Sequence, residues 1–342
     1  MDKVRFAVAG CGFIGALHAR VIRGIPSAEV TAVLDTTAKK AEKMAAEYNC
    51  AWYTRAEDML ADPNVDAVAI CLPSGLHQEL TILAARAGKH VICEKPMDIR
   101  LDSARAMIKA CRENRVRLGI IMQHRFDEPV QLLKKAIREG WMGRLLWGAS
   151  RTIWYRDDVY YSNPWRGTWK YDGGGALMNQ SIHYIDLLLS IMGDVKSVSA
   201  KCRTLGHPQI ETEDVGLADL EFKNGALGTI EGTTVSYPGL YAELAVFGEK
   251  GTVIIRNDHL AFYRFKDGEK PEFEAALNPE AANQLNLSPE IEDTSHRRQY
   301  EDFVHAVLTG TDPAVTGEEG IKSLEVIRAI YQSSDEKREI YL

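Results

Sequence analysis

Three residues of this chain carry chemistry by their type and spacing: Lys95, within Glu94-Lys95-Pro96, and the pair Asn179 and His183, four positions apart. An imidazole suits the role of a base near neutral pH, whereas a lysine needs a large downward pKa shift to do the same. An ammonium group can instead steady an oxygen that is becoming an anion. Asparagine takes up no proton and can only orient a hydroxyl. The set fits removal of a proton from a hydroxyl, with His183 as base and Lys95 as stabilising charge, and an exchange of those two roles stays open. Each residue also has a plain reading, a strand-end lysine or a satisfied core histidine, so the elements that present them decide.

Val4 to Ala9 is a short apolar strand feeding Gly10-Cys11-Gly12-Phe13-Ile14-Gly15, after which Ala16 to Ile25 can form a helix. Gly10 permits a tight turn, Gly12 lets backbone approach a pyrophosphate, and Gly15 lets helix pack closely on strand. Phe13 and Ile14 sit at a helix N-terminus whose free N–H groups suit phosphates. Glu29 to Leu34 is the second strand, and Asp35 at its end is placed to accept hydrogen bonds from ribose hydroxyls and to repel a 2′-phosphate. This predicts NAD rather than NADP as cofactor. The alternation continues through Asp66 to Leu72, a helix from about Gln78, His90 to Cys93, a helix from Leu101 to Glu113, and Arg117 to Gln123. Leu72, Pro73, Ser74, His77, Glu94, Lys95 and Gln123 thus fall at the carboxyl ends of parallel strands, where such sheets bind ligands, and are expected around the cofactor. An α/β Rossmann domain over residues 1–122 follows.

Residues 123–342 read as a second domain of α+β type with a large open, mostly antiparallel sheet. Leu145 to Ile153, Val195 to Arg203, Asp214 to Phe222, Ala226 to Val235, Tyr241 to Phe247 and Thr252 to Ile255 are strand-like, and Asn224-Gly225 signals a hairpin. Such a sheet leaves one face in need of cover, which predicts a homodimer or homotetramer. Two closing helices, about Arg297 to Leu308 and Glu318 to Ser333, are expected to pack back on the first domain. Gly173-Gly174-Gly175 precedes an apolar periodicity at Met178, Ile182, Ile185, Leu189 and Met192, so a helix ending at Gly193 carries Asn179 and His183 on one face. Upstream, Trp154, Tyr155, Tyr160, Tyr161, Trp165, Trp169 and Tyr171 offer aromatic faces suited to sugar or cyclitol rings. Trp165 and Arg166 are expected near the cofactor; Arg166 could equally bind substrate or pair with a surface carboxylate.

With 342 residues, 45% hydrophobic and 26% charged, the chain suits two soluble domains. A balance of 41 Lys+Arg against 48 Asp+Glu leaves no basic footprint for nucleic acid. No apolar run approaches a membrane span and no secretory leader is evident, so a cytoplasmic location is expected. The six cysteines lack metal-ligand spacing, which predicts free thiols and no metal.

The Gly-rich loop, Pro73-Ser74-Gly75-Leu76-His77, Glu94-Lys95-Pro96, and Gly173-Gly174-Gly175 with His183 together resemble, in order and across most of the chain, the motifs of the Gfo/Idh/MocA oxidoreductases. The resemblance implies NAD(P)-dependent oxidation or reduction of sugars, cyclitols or related alcohols, with Lys95 as catalytic lysine and His183 as active-site histidine. Asn179 stands where inositol dehydrogenases of the family usually carry Asp, which speaks against myo-inositol and bears less on the sugar and nucleotide-sugar 3-dehydrogenases of the family. Two other readings stand beside a dehydrogenase: an NAD-dependent, redox-neutral glycosidase and a nucleotide-binding regulator without catalysis.

Overall fold

The computed structural model describes residues 2–285 and 293–342. It separates into two compact units, Met1–Gln123 with Ile291–Ile321, and His124–Glu290 with Lys322–Leu342.

The first unit is built on strands β1 (Val4–Ala9), β2 (Ala28–Leu34), β3 (Ala51–Tyr53), β4 (Ala67–Ile70), β5 (His90–Cys93) and β6 (Leu118–Ile120), all parallel, in the order β3-β2-β1-β4-β5-β6. Strands β1, β4 and β5 are almost continuously apolar because both faces of a parallel sheet are covered by helices. Chain order reverses between β1 and β4, the point where such sheets take ligands. The helix Asp293–Thr309 closes one face. Its Tyr300 and Phe303 rings lie 5.7 and 6.2 Å from that of Phe6, and Phe303 is so close to Gly119 that a Cβ there would meet it at 2.8 Å. Removing such a buried ring costs about 3–5 kcal/mol.

The second unit holds β7 (Leu145–Ile153), β8 (Val195–Arg203), β9 (Val215–Phe222), β10 (Leu227–Thr233), β11 (Tyr241–Gly248), β12 (Gly251–Arg256), β13 (His259–Phe265) and β14 (Ile340–Tyr341). They pair as β13-β12-β11-β7-β10-β9-β8-β14, antiparallel except for β7 with β10. The Asn224-Gly225 hairpin is present: Gly225 has φ +84°, and the Asn224 side chain accepts from Ala226 N–H at 3.0 Å. Alternating burial along β9 shows one face covered and one open. Glycines let the covering helix come close. A Cβ on Gly148 would meet Leu188 at 2.8 Å, on Gly216 would meet Leu177 at 2.5 Å, and on Gly232 would meet the Ser181 hydroxyl at 2.4 Å.

Only the first of the two closing helices falls wholly in the first unit. The second, Gly317–Glu336, starts there, with Gly317 and Gly320 packed against Leu118 and Ile120. From Lys322 on it belongs with the second sheet, where Ser333 Oγ accepts from Ala200 N–H at 3.0 Å. The physical reason is its length, which lets two faces serve two cores in succession. Among the described residues all six cysteines are free, and no helix is long and apolar enough to cross a membrane.

Candidate active site

In the first unit the predicted residues gather at the carboxyl edge of the sheet. Gly10 follows β1 with φ +103°, and a Cβ there would stand 2.4 Å from the Cys71 carbonyl. Gly15 lies in the first turn of the helix Phe13–Arg23, and a Cβ on it would stand 1.8 Å from Gly10 O, so only glycine closes this loop. At Gly12 a Cβ would meet nothing within 4 Å. Protein packing does not demand glycine at that position, whereas a phosphate lying against the backbone does. Phe13 is 76% exposed beside the helix N-terminus, and Ile14 is half-buried.

Asp35 follows β2 and is half-buried. Its Oδ2 accepts from Cys11 N–H at 3.0 Å and its Oδ1 from Thr37 N–H at 2.8 Å, which fixes the carboxylate beside the loop and leaves lone pairs for ribose hydroxyls. Burial, then the Asp35 charge, pushes the Cys11 thiol up to about 12, so that cysteine is inert. Leu72, Pro73 and Ser74 are half-buried after β4. Gln123, after β6, is 8% exposed, and its Oε1 has no hydrogen-bond partner among the described residues. An open loop at Gly12, a fixed ribose acceptor and an orphaned amide oxygen together fit a nicotinamide dinucleotide.

Two of the residues expected around the cofactor also hold the backbone of the site. His77 is fully buried; its Nε2 faces Leu72 O at 2.8 Å, and its Nδ1 faces Pro96 O at 3.1 Å and Met97 O at 3.2 Å. With both nitrogens against carbonyls, it ties the loop after β4 to the chain following Lys95. Glu94 is 9% exposed and has both oxygens engaged, Oε1 by His18 Nε2 at 2.8 Å and Oε2 by Lys95 N–H at 3.0 Å. Burial opposes ionisation of Glu94, but the hydrogen bond and charge of His18 outweigh it and bring the carboxyl down to about 2. Burial likewise opposes a charge on His18, and Cys71 and Glu94 overcome it to lift the ring to about 10. His18 Nδ1 reaches Tyr300 Oη at 2.6 Å. The backbone of Lys95 is therefore clamped by a buried ion pair, while its side chain is half-buried.

In the second unit Gly173-Gly174-Gly175 leads into a π-helical turn, Ala176–Ser181, and then the α-helix Ile182–Met192, capped by Gly193 at φ +94°. A single α-helix is thus corrected to a π-to-α helix, a widening common at functional sites. The glycines serve protein contacts. A Cβ on Gly174 would stand 2.2 Å from Tyr331 Oη, and one on Gly175 would stand 1.8 Å from Glu213 O. Glu213 accepts from Gly175 N–H and Leu177 N–H, each at 2.8 Å, and from Tyr331 O–H at 2.9 Å. It holds the start of the helix. From Asp172 through Leu189 every residue is buried except two, Asn179 and His183. Asn179 Nδ2 donates to Gly174 O at 3.1 Å.

The His183 ring meets the edge of His124 at 5.0 Å between centroids. His124 Nδ1 lies 2.8 Å from Asp127 and 3.1 Å from Asp258, and Tyr184 O–H donates to Asp258 at 2.9 Å. Burial works against a charge on His124, but Asp258 and Asp127 prevail and hold it well above the usual histidine range. A buried bidentate pair, Arg125 with Asp186 at 2.7 Å on both arms, anchors the same turn to the helix. In the first unit the donor atoms of His18, Glu94 and His296 lie within 4.8 Å of one another, as in the second unit do those of His124, Asp127 and Asp258, and each set contains a hydrogen-bonded histidine–carboxylate pair. Trp165 and Arg166 are half-buried, the Arg166 guanidinium carbon 3.8 Å from the Tyr160 ring centroid.

A parallel sheet with a dinucleotide loop, joined to a half-open sheet whose covering helix carries a half-buried imidazole and amide, defines a two-part nicotinamide-dependent oxidoreductase. Residues 4–122 match the oxidoreductase family with an NAD-binding Rossmann fold and residues 134–342 its C-terminal alpha/beta domain, so the chain belongs to the GFO/IDH/MocA family. It is 35% identical to the WlbA dehydrogenase of Bordetella pertussis, solved in complex with NADH and UDP-GlcNAcA, with a TM-score of 0.90 over 100% of this chain and 98% of that one. It is 29% identical to a myo-inositol 2-dehydrogenase of Thermotoga maritima over 99% of this chain and 98% of the relative. A scyllo-inositol 2-dehydrogenase (NAD(+)) of Bacillus subtilis is 27% identical over 95% and 92% of the two chains. The protein is an NAD-dependent oxidoreductase acting on CH–OH groups.

Proposed function

We propose that the protein oxidises one secondary hydroxyl of a sugar derivative, reversibly, with His183 as the base and Lys95 as the charge that stabilises the alkoxide. The observation that carries this reading is the pair of half-open positions, Asn179 and His183, in an otherwise buried helix. When bound, NAD supplies the hydride acceptor, held by Gly10, Gly12, Phe13, Ile14, Gly15, Asp35, Leu72, Pro73, Ser74 and Gln123. His183 takes the hydroxyl proton in its neutral form, and the cation at His124 favours that form because a second positive charge beside the first is costly. Asn179, held by Gly174 O, orients a substrate hydroxyl without exchanging protons. Lys95 meets the developing negative charge while Glu94 accepts from its backbone N–H and His77 holds the carbonyl of the next residue, Pro96.

Support for a nucleotide sugar or glycoside over a free inositol comes from Asn179 and from the likeness to a dehydrogenase solved with UDP-GlcNAcA. The open sheet face, with Leu217 50% and Leu227 59% exposed, supports a homodimer or homotetramer. The test is turnover by His183→Ala and Lys95→Ala beside NADH binding followed by nicotinamide fluorescence. Turnover should fall roughly 10²–10⁴-fold in each, with cofactor affinity kept. Near-normal turnover in either variant removes that residue's role.

A further inference from the structure

Beside the start of the helix that carries Asn179 and His183, the second unit holds a cavity of about 210 Å³ that neither of those residues lines. Its lining runs from buried Thr212, Glu213 and Tyr331 to exposed Arg203, Glu211, Asp335 and Trp169. Thr212 is 0% exposed, yet its Oγ1 has no hydrogen-bond partner. Leaving a buried hydroxyl unpaired is costly, and a polar group entering the cavity relieves that cost. The aromatic wall is held in place: Trp169 Nε1 donates to Glu211 O at 3.0 Å, its backbone N–H donates to Glu211 Oε2 at 3.0 Å, and its ring meets that of Tyr331 edge to face at 5.3 Å.

Charge at the rim is mixed, one guanidinium against two carboxylates. An anion there meets repulsion from Glu211 and Asp335, and an ammonium group meets it from Arg203. A polyol suits both signs, because each hydroxyl can donate to an acid or accept from the arginine, while the C–H face of the ring lies on the indole. The volume is below the roughly 300–1,000 Å³ of sites for drug-sized molecules, which restricts the ligand to a single ring. The wall is also wired to the helix. Tyr331 O–H donates to Glu213 at 2.9 Å, Glu213 accepts from Gly175 N–H at 2.8 Å, and Asn179 N–H donates to Gly175 O at 3.0 Å.

We propose that this cavity is a second binding site, for one neutral polyol ring, a monosaccharide or cyclitol, and that its occupancy steadies the glycine-rich start of the helix bearing Asn179 and His183. The ring bound there is an effector and not the molecule being oxidised. What it does to turnover rests on the dehydrogenase reading, whereas its binding does not.

The experiment reads binding apart from turnover. Glucose, N-acetylglucosamine and myo-inositol are the neutral probes, with glucuronate and glucosamine as charged counterparts, each added to the NADH-bound enzyme. Calorimetric titration gives affinity, and hydrogen exchange follows peptides covering 173–178 and 202–213, in wild type, Thr212→Val and His183→Ala, with NADH binding as the check that each variant is folded. Thr212→Val keeps the side chain's shape and removes a hydroxyl that has no protein partner, so its stability in urea should stay level or rise. At least one neutral probe should slow exchange in both peptides, bind His183→Ala as it binds wild type, and bind Thr212→Val about 10-fold more weakly, the worth of one hydrogen bond. The charged counterparts should bind less tightly than the neutral ring. Protection of neither peptide by any neutral probe, which is the result for a cavity that takes water only, overturns the site. So does binding untouched by Thr212→Val, binding lost in His183→Ala, or a charged counterpart that binds more tightly. Thr212-dependent binding in an enzyme that forms no NADH from any alcohol leaves the site standing and counts against the dehydrogenase reading; His183-dependent oxidation without protection of either peptide does the reverse.

Discussion

Glu213, 4% exposed at the head of the helix bearing His183, makes stability depend on pH in a way that can be isolated by one substitution. Burial pushes its carboxyl from an ordinary 4.5 up to about 7, against the pull of Leu177 N–H, Tyr331 O–H and Gly175 N–H. Between those two pH values the folded chain binds more protons at this site than the unfolded chain, so stability is fully present below about pH 4.5 and falls as pH rises to about 7. A shift of that size is worth about 3 kcal/mol. Glu213→Gln removes the titration, and because the amide turns one N–H donor toward the backbone donors it adds a pH-independent cost of about 1–3 kcal/mol. Of the six tryptophans only Trp52 lies outside the second unit, so in a Trp52→Phe background fluorescence follows that unit alone. Urea unfolding at pH 4.5 to 8 should show the wild-type advantage over Glu213→Gln shrinking by about 3 kcal/mol across the window. A difference that stays flat, or grows with pH, refutes the reasoning, since growth would mean that the three donors dominate and ionisation stabilises the fold.

Asp35→Ser removes the acceptor fixed by Cys11 and Thr37 N–H, and the preference of kcat/KM for NAD over NADP should fall about 10- to 100-fold; an unchanged ratio would place cofactor choice elsewhere. His124→Gln removes the cation at 5.0 Å from His183, so the acid limb of the pH profile of kcat/KM should move to higher pH, and a limb that stays in place would separate the two rings functionally. Asp186→Asn leaves Arg125 charged and without its bidentate partner in a buried position, a loss of about 3–5 kcal/mol in urea unfolding; a loss below about 1 kcal/mol would show that water reaches the arginine.

The sheet that holds the cofactor residues was legible because a parallel strand buried on both faces writes itself as an apolar run, as in Ala67–Ile70 and His90–Cys93. Strand Ala51–Tyr53 was not, since three residues with two of them exposed carry no such pattern. The π-helical turn was invisible for another reason: Met178, Ile182, Ile185, Leu189 and Met192 keep an apolar stripe through it, and one wider turn at its start leaves that stripe readable as an ordinary helix. The reactive groups themselves, Lys95, Asn179 and His183, could be found by residue type. What restrains their segments could not, because His18 and Tyr300 fix Glu94, and Glu213 and Tyr331 fix the start of the helix, from positions distant in sequence.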